Sequence, residues 1–412
     1  MSARAPRGEI AVVGGGVVGM VSALLLADAG FDVSLVDPVT QLPARDAPWD
    51  LRTFALTPAT RRILIRCGVW SALDAARVST FEAIEVYDGL GDGTVRFDRT
   101  AGVSPPLAFL VELSNLITAC HRALAQRARV RDFAGQVIAV VPGDDHCTLR
   151  LADGRELRTG AVLACDGADS PLRTLCGIAV DETDYAQHAV VANVTCALPH
   201  AGVARQRFLP TGPLALLPLP PPCDVAVVWS TTPEEAAWAV GCRDDEFRAR
   251  LAEAFGQRAG AVTVTSRRLA FPLRRRHARS YVADRVALLG DAAHVMHPLA
   301  GQGLNVGLLD AATLAEVLGA RGPAVLRAPQ SALARYARIR RGENLLMLTV
   351  TEQLNRLFAE TRTPIVRARN LGLRLTQHLR PLKARLIAHA MGDRGDLPAL
   401  ARGDLSTEQV TP

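Results

Sequence analysis

The stretch Glu9-Ile10-Ala11-Val12-Val13-Gly14-Gly15-Gly16-Val17-Val18-Gly19 restricts what this chain can fold into more than any other. An apolar strand runs into Gly-x-Gly-x-x-Gly, an apolar helical run follows as far as Gly30, and Phe31-Asp32-Val33-Ser34-Leu35-Val36-Asp37 closes a second strand on a carboxylate. Strand, glycine turn, helix and acid-terminated strand make the first βαβ unit of a Rossmann-like dinucleotide fold. Gly14 permits the tight turn, Gly16 lets the backbone approach a pyrophosphate, and Gly19 lets helix pack close on strand. Asp37 falls about 20 residues on, where a carboxylate accepts hydrogen bonds from ribose hydroxyls. The pattern alone suits FAD and NAD equally.

Two further segments carry ligand chemistry. Ala287-Leu288-Leu289-Gly290-Asp291 is an apolar strand that delivers an aspartate to a turn, and His297-Pro298-Leu299-Ala300-Gly301-Gln302-Gly303-Leu304-Asn305 is a proline-led loop that opens a helix. The amides of such a helix start favour a group that becomes negative. Val162-Leu163-Ala164-Cys165-Asp166-Gly167 is another strand running into a polar turn, with Ser170 and Arg173 behind it. One extended cofactor bridging all three segments would explain their separation in sequence.

The Asp166-Gly167 and Gly290-Asp291 steps together resemble the Asp-Gly and Gly-Asp motifs of the single-component FAD-dependent aromatic hydroxylases. Asp50-Leu51-Arg52 stands where that family places a flavin-contacting arginine. Val111-Glu112-Leu113, Tyr185 to Val194, Gly212 to Pro218 and Gly290 to Asn305 look like the ubiquinone-biosynthesis branch, nearest to the 2-polyprenyl-6-methoxyphenol hydroxylases. The likeness covers about residues 8 to 390. It implies FAD, with the ADP half on Gly14, Gly16, Gly19, Asp37 and Arg52, the ribityl chain at Gly290 and Asp291, and the isoalloxazine edge on the amides of Gly301 through Asn305. Val137 would offer backbone groups to adenine, and Pro298 would lie against the flavin with Gly301, Gln302 and Gly303. NAD(P)H has no second glycine motif of its own, so Asp166, Gly167 and Arg173 would serve a transient visit, unless a partner protein supplies the electrons. Reduced flavin and O2 would then hydroxylate a polyprenylated phenol through a C4a-hydroperoxide. No residue carries the pattern of a general base.

The implied fold class is α/β: a Rossmann-like, para-hydroxybenzoate-hydroxylase-like FAD domain with an inserted antiparallel substrate sheet and a C-terminal helical region. The expected FAD domain is discontinuous (1–75, 100–180, 280–335), the substrate domain takes 76–99 and 181–279, a helical region runs over 336–400, and a disordered tail covers 401–412. Strands are expected over 188–196, 206–209, 212–219, 223–230 and 263–273, with a helical stretch from Glu234 to Phe255 interrupted near Gly241. Leu214, Leu216 and Leu217 face either core or an apolar substrate.

At 412 residues and 49% hydrophobic content the chain can bury a large core. Eight cysteines show no C-x-x-C pair and no cysteine-histidine cluster, as in a reducing cytoplasm without disulfides or zinc. His294 and His297 lack a third metal ligand and read as structural. A net charge of +6 invites a nucleic-acid partner, but 5% aromatic content leaves few stacking platforms and excludes it. No apolar run is long enough for a membrane span, and no apolar stretch before the first strand makes an export signal, so a cytoplasmic location is expected. From Pro364 to Met391, Arg367, Arg369, Arg374, Arg380, Lys383 and Arg385 alternate with leucines in a segment broken near Pro381. It either lies on an anionic membrane surface or packs on its own domain with a solvated basic face. Other quinone-biosynthesis proteins are further candidate partners. Two competing functions stay open: hydroxylation of a small aromatic acid, which needs a cation such as Arg205, Arg207, Arg267 or Arg268 in the substrate sheet, and a flavin-holding scaffold without turnover.

Overall fold

The computed structural model describes residues 9–38, 49–99, 106–256, 258, 260–379, 381, 383–384, 386 and 396–403. Glu9–Val13 is buried along its whole length, as a parallel strand covered on both faces must be. It pairs in parallel with Asp32–Asp37 on one side and Ala161–Ala164 on the other. Val130–Ala134 extends the sheet beyond Asp32–Asp37, and Val286–Leu288 extends it beyond Ala161–Ala164. These strands come from distant parts of the chain and form one six-stranded sheet with Val282–Ala283 at its edge. The turns after three of them, at Gly14, Asp166 and Gly290, therefore lie at the same end of the sheet, where such folds bind ligands. The helix Val17–Asp28 is buried nearly all round.

The second layer is a nine-stranded sheet. The expected strand 188–196 begins earlier and runs over Val180–Cys196, interrupted by a bulge between Asp184 and Gln187, where Ala186 takes a positive φ of 51°. The expected strand 263–273 is two strands, Val262–Thr265 and Leu269–Ala278. Ala83–Asp88 joins Val203–Leu209 in parallel, so the sheet is mixed and not wholly antiparallel. Thr53–Leu56, Ala108–Glu112 and Val78–Phe81 form a small antiparallel sheet of their own.

Alternation sorts the nine-stranded sheet into two faces. Leu214, Leu216, Val227 and Trp229 pack with Phe247 and Phe255 of the helices that cover one side. On the other side a single row crosses six strands, from Phe97 through Ile84, Ala204, Leu217 and Ala226 to Asn193. That row packs against Ala55 and Leu110 of the cofactor layer. Leu214 and Leu216 are therefore core under the helices, and Leu217 lies on the face that packs against Ala55 and Leu110.

The boundary expected at 335/336 falls inside one long helix, Gln330–Ala359. A second helix, Thr363–His378, stops before Pro381. Its buried residues are Arg369 and Asn370, while Leu371, Leu375 and Leu379 are exposed. The described part thus packs through Arg369, Asn370 and Leu373 and turns Leu371 and Leu375 outward. Much of the basic segment beyond Leu379 lies outside the described residues. The first residue of the tail expected from 401 is ordered: Ala401 is fully buried and its carbonyl accepts Arg62 Nη1 at 3.1 Å. From residue 404 on, that expectation falls outside the described residues.

Candidate active site

The three glycines of the first turn behave differently. Gly14 has φ +113°, and a Cβ there would stand 2.2 Å from the Cys165 carbonyl oxygen. A Cβ on Gly19 would stand 1.9 Å from the Gly14 carbonyl oxygen, so helix and turn touch backbone to backbone. Gly16, which caps the helix, has nothing within 4 Å of the same point. Two glycines are needed for packing, and the third leaves open space in front of a helix N-terminus, which suits a pyrophosphate.

Asp37 accepts the Gly15 amide and lines a pocket with Gly15, Leu35, His121, Asp132, Phe133 and Ala134. His121 and Asp132 have no motif around them and were not legible as site residues. Val137 lies outside this lining; its side chain is buried at the start of Val137–Pro142. Arg52 is exposed. The loop before it is held by the buried carboxylate of Glu112, which accepts the Asp50 amide at 2.5 Å and both Nε and Nη2 of Arg77 at 2.6 and 2.9 Å. Arg77 also covers the Trp49 ring. Glu112 sits within a quoted motif, but only the tertiary structure assigns it this duty.

Asp166 is half-buried, and both its oxygens are engaged. Its carboxylate accepts Ser170 Oγ at 2.5 Å and the Leu172 amide at 3.0 Å, capping the short helix Pro171–Leu175, and Gly167 makes the turn with φ +86°. Arg173, expected to meet both cofactors, is buried. It donates Nη1 to the Ala292 carbonyl and Nη2 to the Ala168 carbonyl, each at 2.9 Å. The Asp-Gly segment thus braces the Gly-Asp turn.

Gly290 takes φ +58°, and a Cβ there would meet Val18 at 3.3 Å. Asp291 is solvent-accessible, yet enough protein surrounds it that desolvation raises its carboxyl above the usual range, with His294 opposing. Beneath the turn lies a buried carboxylate that the sequence did not announce. Asp310 Oδ2 accepts the Gly290 amide at 3.1 Å and His294 Nε2 at 2.6 Å. Its Oδ1 accepts Arg340 Nε at 2.8 Å and Asn344 Nδ2 at 3.1 Å. Burial alone would raise the Asp310 pKa; the charges and hydrogen bonds of His294 and Arg340 outweigh it and hold the group at about 2. His294 is thereby structural, as expected.

Gly301 is left-handed, with φ +61°, and its own amide bonds the Pro298 carbonyl at 3.1 Å. The helix Gln302–Gly319 starts there, so the free amides at its mouth are those of Gln302, Gly303 and Leu304. Gly303 has no neighbour within 4 Å of a Cβ position. Asn305 acts through its side chain: Oδ1 accepts the Thr57 amide and Thr60 Oγ1, and Nδ2 donates to the Ala55 and Gly301 carbonyls. His297 is wholly buried. Gln187 gives its amide hydrogen to the Thr211 carbonyl, which leaves Oε1 to accept His297 Nε2 and Asn355 Nδ2, both at 3.1 Å.

Residues 7–347 match the family model described as the FAD binding domain. The 3-demethoxyubiquinol 3-hydroxylase of Escherichia coli is 35% identical over 93% of this chain and 98% of its own. Ubiquinone hydroxylase UbiL of Rhodospirillum rubrum is 34% identical, covering 93% and 89%. The chain belongs to the ubiquinone-biosynthesis branch of the FAD-dependent hydroxylases. The human ubiquinone biosynthesis monooxygenase COQ6 is 30% identical over 93% of this chain and 92% of its own. The fold is shared with p-nitrophenol 4-monooxygenase from Pseudomonas putida (TM-score 0.76, 22% identity, 94% and 98% covered).

The open points at Gly16 and Gly303, each at a helix start, and the accessible Asp291 between them fit an extended FAD. Bound FAD supplies the redox chemistry, taking electrons from NAD(P)H and activating O2 in this enzyme class. The chain of this flavin hydroxylase family supplies dipoles at the Gln302–Leu304 mouth, where negative charge is stabilised without reorganisation. Among the described residues no group of His, Cys, Asp and Glu could hold a metal.

Proposed function

We propose that this enzyme hydroxylates the aromatic ring of a polyprenylated phenol or quinol on the way to ubiquinone, with NAD(P)H or a partner protein as electron source. What supports this reading is the sheet row Phe97, Ile84, Ala204, Leu217 and Ala226, which is apolar, uncharged and packed with Ala55, the residue beside Gly301. Two alanines with aliphatic and aromatic neighbours suit a prenylated ring better than a carboxylate. The arginines that a benzoate-like acid would need are turned elsewhere. Arg205 and Arg207 project from the opposite face, toward Glu85 and the Ala254 carbonyl, Arg268 meets Asp244 and the Cys242 carbonyl, and Arg267 is exposed. A pure scaffold would need cofactor affinity without the aimed amides of Gln302 to Leu304.

In this reading 76–99 and 181–279 form the substrate domain, and 1–75, 100–180 and 280–335 the cofactor domain. Asp37, Arg52, Asp291 and the Pro298–Leu304 loop hold FAD, and Asp166 and Gly167 shape the side NAD(P)H visits. No described helix is long and apolar enough to cross a membrane. The outward leucines of Thr363–His378, with Arg367 beside them, instead favour peripheral contact with the inner face of the cytoplasmic membrane, where a prenylated substrate resides.

The test is mass spectrometry of quinone intermediates in cells lacking the protein, complemented by wild type or Asp291→Ala. Accumulation of a polyprenylated phenol or demethoxyquinol, cleared only by wild type, is expected, and its mass gives the ring position. Normal quinone levels in the deletion strain would overturn the reading.

A further inference from the structure

We propose that Arg340, acting through Asp310, is a positioning residue for FAD although it stands one side chain removed from the cofactor groove; this rests on Asp291 contacting FAD. The turn Gly290–Ala292 is tied at both ends. Its first amide donates to Asp310 Oδ2, and its last carbonyl accepts Arg173 Nη1. Asp291 lies between these two fixed peptide groups and is exposed, whereas Ala292 is buried.

The two ties differ in what holds them. Arg173 is braced locally, by the Ala168 carbonyl. Asp310 belongs to the helix whose mouth faces the flavin, and it is held from below by a different element, the long helix Gln330–Ala359. Arg340 Nε takes Asp310 Oδ1 at 2.8 Å, and Arg340 Nη2 donates at 2.7 Å to Asn344 Oδ1, whose Nδ2 returns to the same carboxylate oxygen. Asn344 also donates to Tyr281 Oη at 3.2 Å. Arg340 therefore fixes the rotamer of a buried carboxylate through a planar fork, a geometry lysine cannot copy.

The turn has little room to absorb an error. A Cβ on Gly307 would stand 3.1 Å from the Gly290 Cα, and one on Gly290 would stand 3.3 Å from Val18. Gly290 is thus wedged between the helix that follows the pyrophosphate turn and the helix that meets the flavin. A displacement of Asp310 changes the spacing of the two helix starts that one cofactor must span.

The experiment compares wild type, Arg340→Lys, Asn344→Ala and Asp291→Ala, each stripped of FAD and titrated with FAD while flavin fluorescence and the fine structure of the visible flavin band are followed. Melting of each apoprotein reports folding separately. Arg340→Lys keeps the buried charge, and Asn344→Ala removes a neutral fork partner if the lysine variant does not fold. The expected result is a Kd for FAD raised about tenfold in Arg340→Lys, equivalent to about 1.4 kcal/mol, with an altered flavin band and an apoprotein that still melts cooperatively. Wild-type Kd and spectrum in both Arg340→Lys and Asn344→Ala, with FAD binding weakened in Asp291→Ala, would overturn the inference alone. Wild-type binding in Asp291→Ala as well would overturn the placement of FAD on which it stands.

Discussion

Arg369 grips Asp88 through two bonds, Nε to Oδ2 at 2.6 Å and Nη2 to Oδ1 at 2.9 Å, with both side chains almost wholly removed from solvent. Asn370 Nδ2 reaches the same carboxylate at 2.7 Å, and its Oδ1 accepts the Gly93 amide at 2.6 Å. This polar joint fastens the helix Thr363–His378 to the nine-stranded sheet. Arg369→Met leaves the buried Asp88 without its countercharge, held only by the neutral Asn370 and Leu90 N–H groups, and is expected to cost about 3–5 kcal/mol. Urea denaturation measures the loss, and limited proteolysis should show cleavage moving into 360–379.

The glycine turn gives a contrast between two alanine substitutions. Gly19→Ala places a methyl 1.9 Å from a backbone oxygen and should lower expression and melting temperature, whereas Gly16→Ala meets nothing within 4 Å. Gly16→Ala should fold with wild-type melting of the apoprotein and bind FAD at least tenfold more weakly, because the methyl occupies the space facing the pyrophosphate. Equal behaviour of the two variants would contradict these separate roles.

Asn305→Ala removes three hydrogen bonds between the helix Gln302–Gly319 and the Ala55–Thr60 segment, and a fourth to the Gly301 carbonyl. The Thr57 amide and the Ala55 carbonyl lose partners in a buried setting, and a loss of about 2–4 kcal/mol is expected from equilibrium unfolding. Asn305→Asp supplies the acceptor but not the donor and should recover only part of it.

Two buried histidines set an acid limit. Desolvation lowers His297 to about 4, and desolvation with Arg341, His294 and Arg275 lowers His277 to about 4. A histidine held neutral in the folded state binds fewer protons than in the unfolded chain between pH 4 and 6.5. Stability is therefore full above 6.5 and falls as pH drops toward 4, by up to about 3 kcal/mol per residue. Asp310, held at about 2, loses its contribution only below 4 and does not blur this window. Denaturant midpoints at pH 7 and 4.5 should differ less in His277→Gln/His297→Gln than in wild type.

Leu371 and Leu375 are 56% and 51% exposed, with Arg367 and Arg374 beside them on the surface. Leu371→Glu/Leu375→Glu should abolish co-sedimentation with vesicles containing anionic phospholipid while leaving FAD binding and melting unchanged. Undiminished sedimentation would remove this helix from the membrane contact.

Spacing along the chain was enough for Gly14, Gly16 and Gly19, for Asp37 at a strand end and for the Gly301 helix mouth, because a βαβ unit and a helix start are local structures whose backbone demands show in the residues themselves. Leu214 and Leu216 against Leu217 could be separated only once the sheet had two named faces, since period-two alternation does not say which face meets the cofactor. The parts the sequence left silent share one physical cause. Asp310, Arg340, Glu112 and Arg369 are charged residues whose roles exist only in pairs, and their partners lie up to 281 positions away. Their meaning is fixed by burial, which turns a surface charge into an obligatory contact, and burial is decided by how the layers come together.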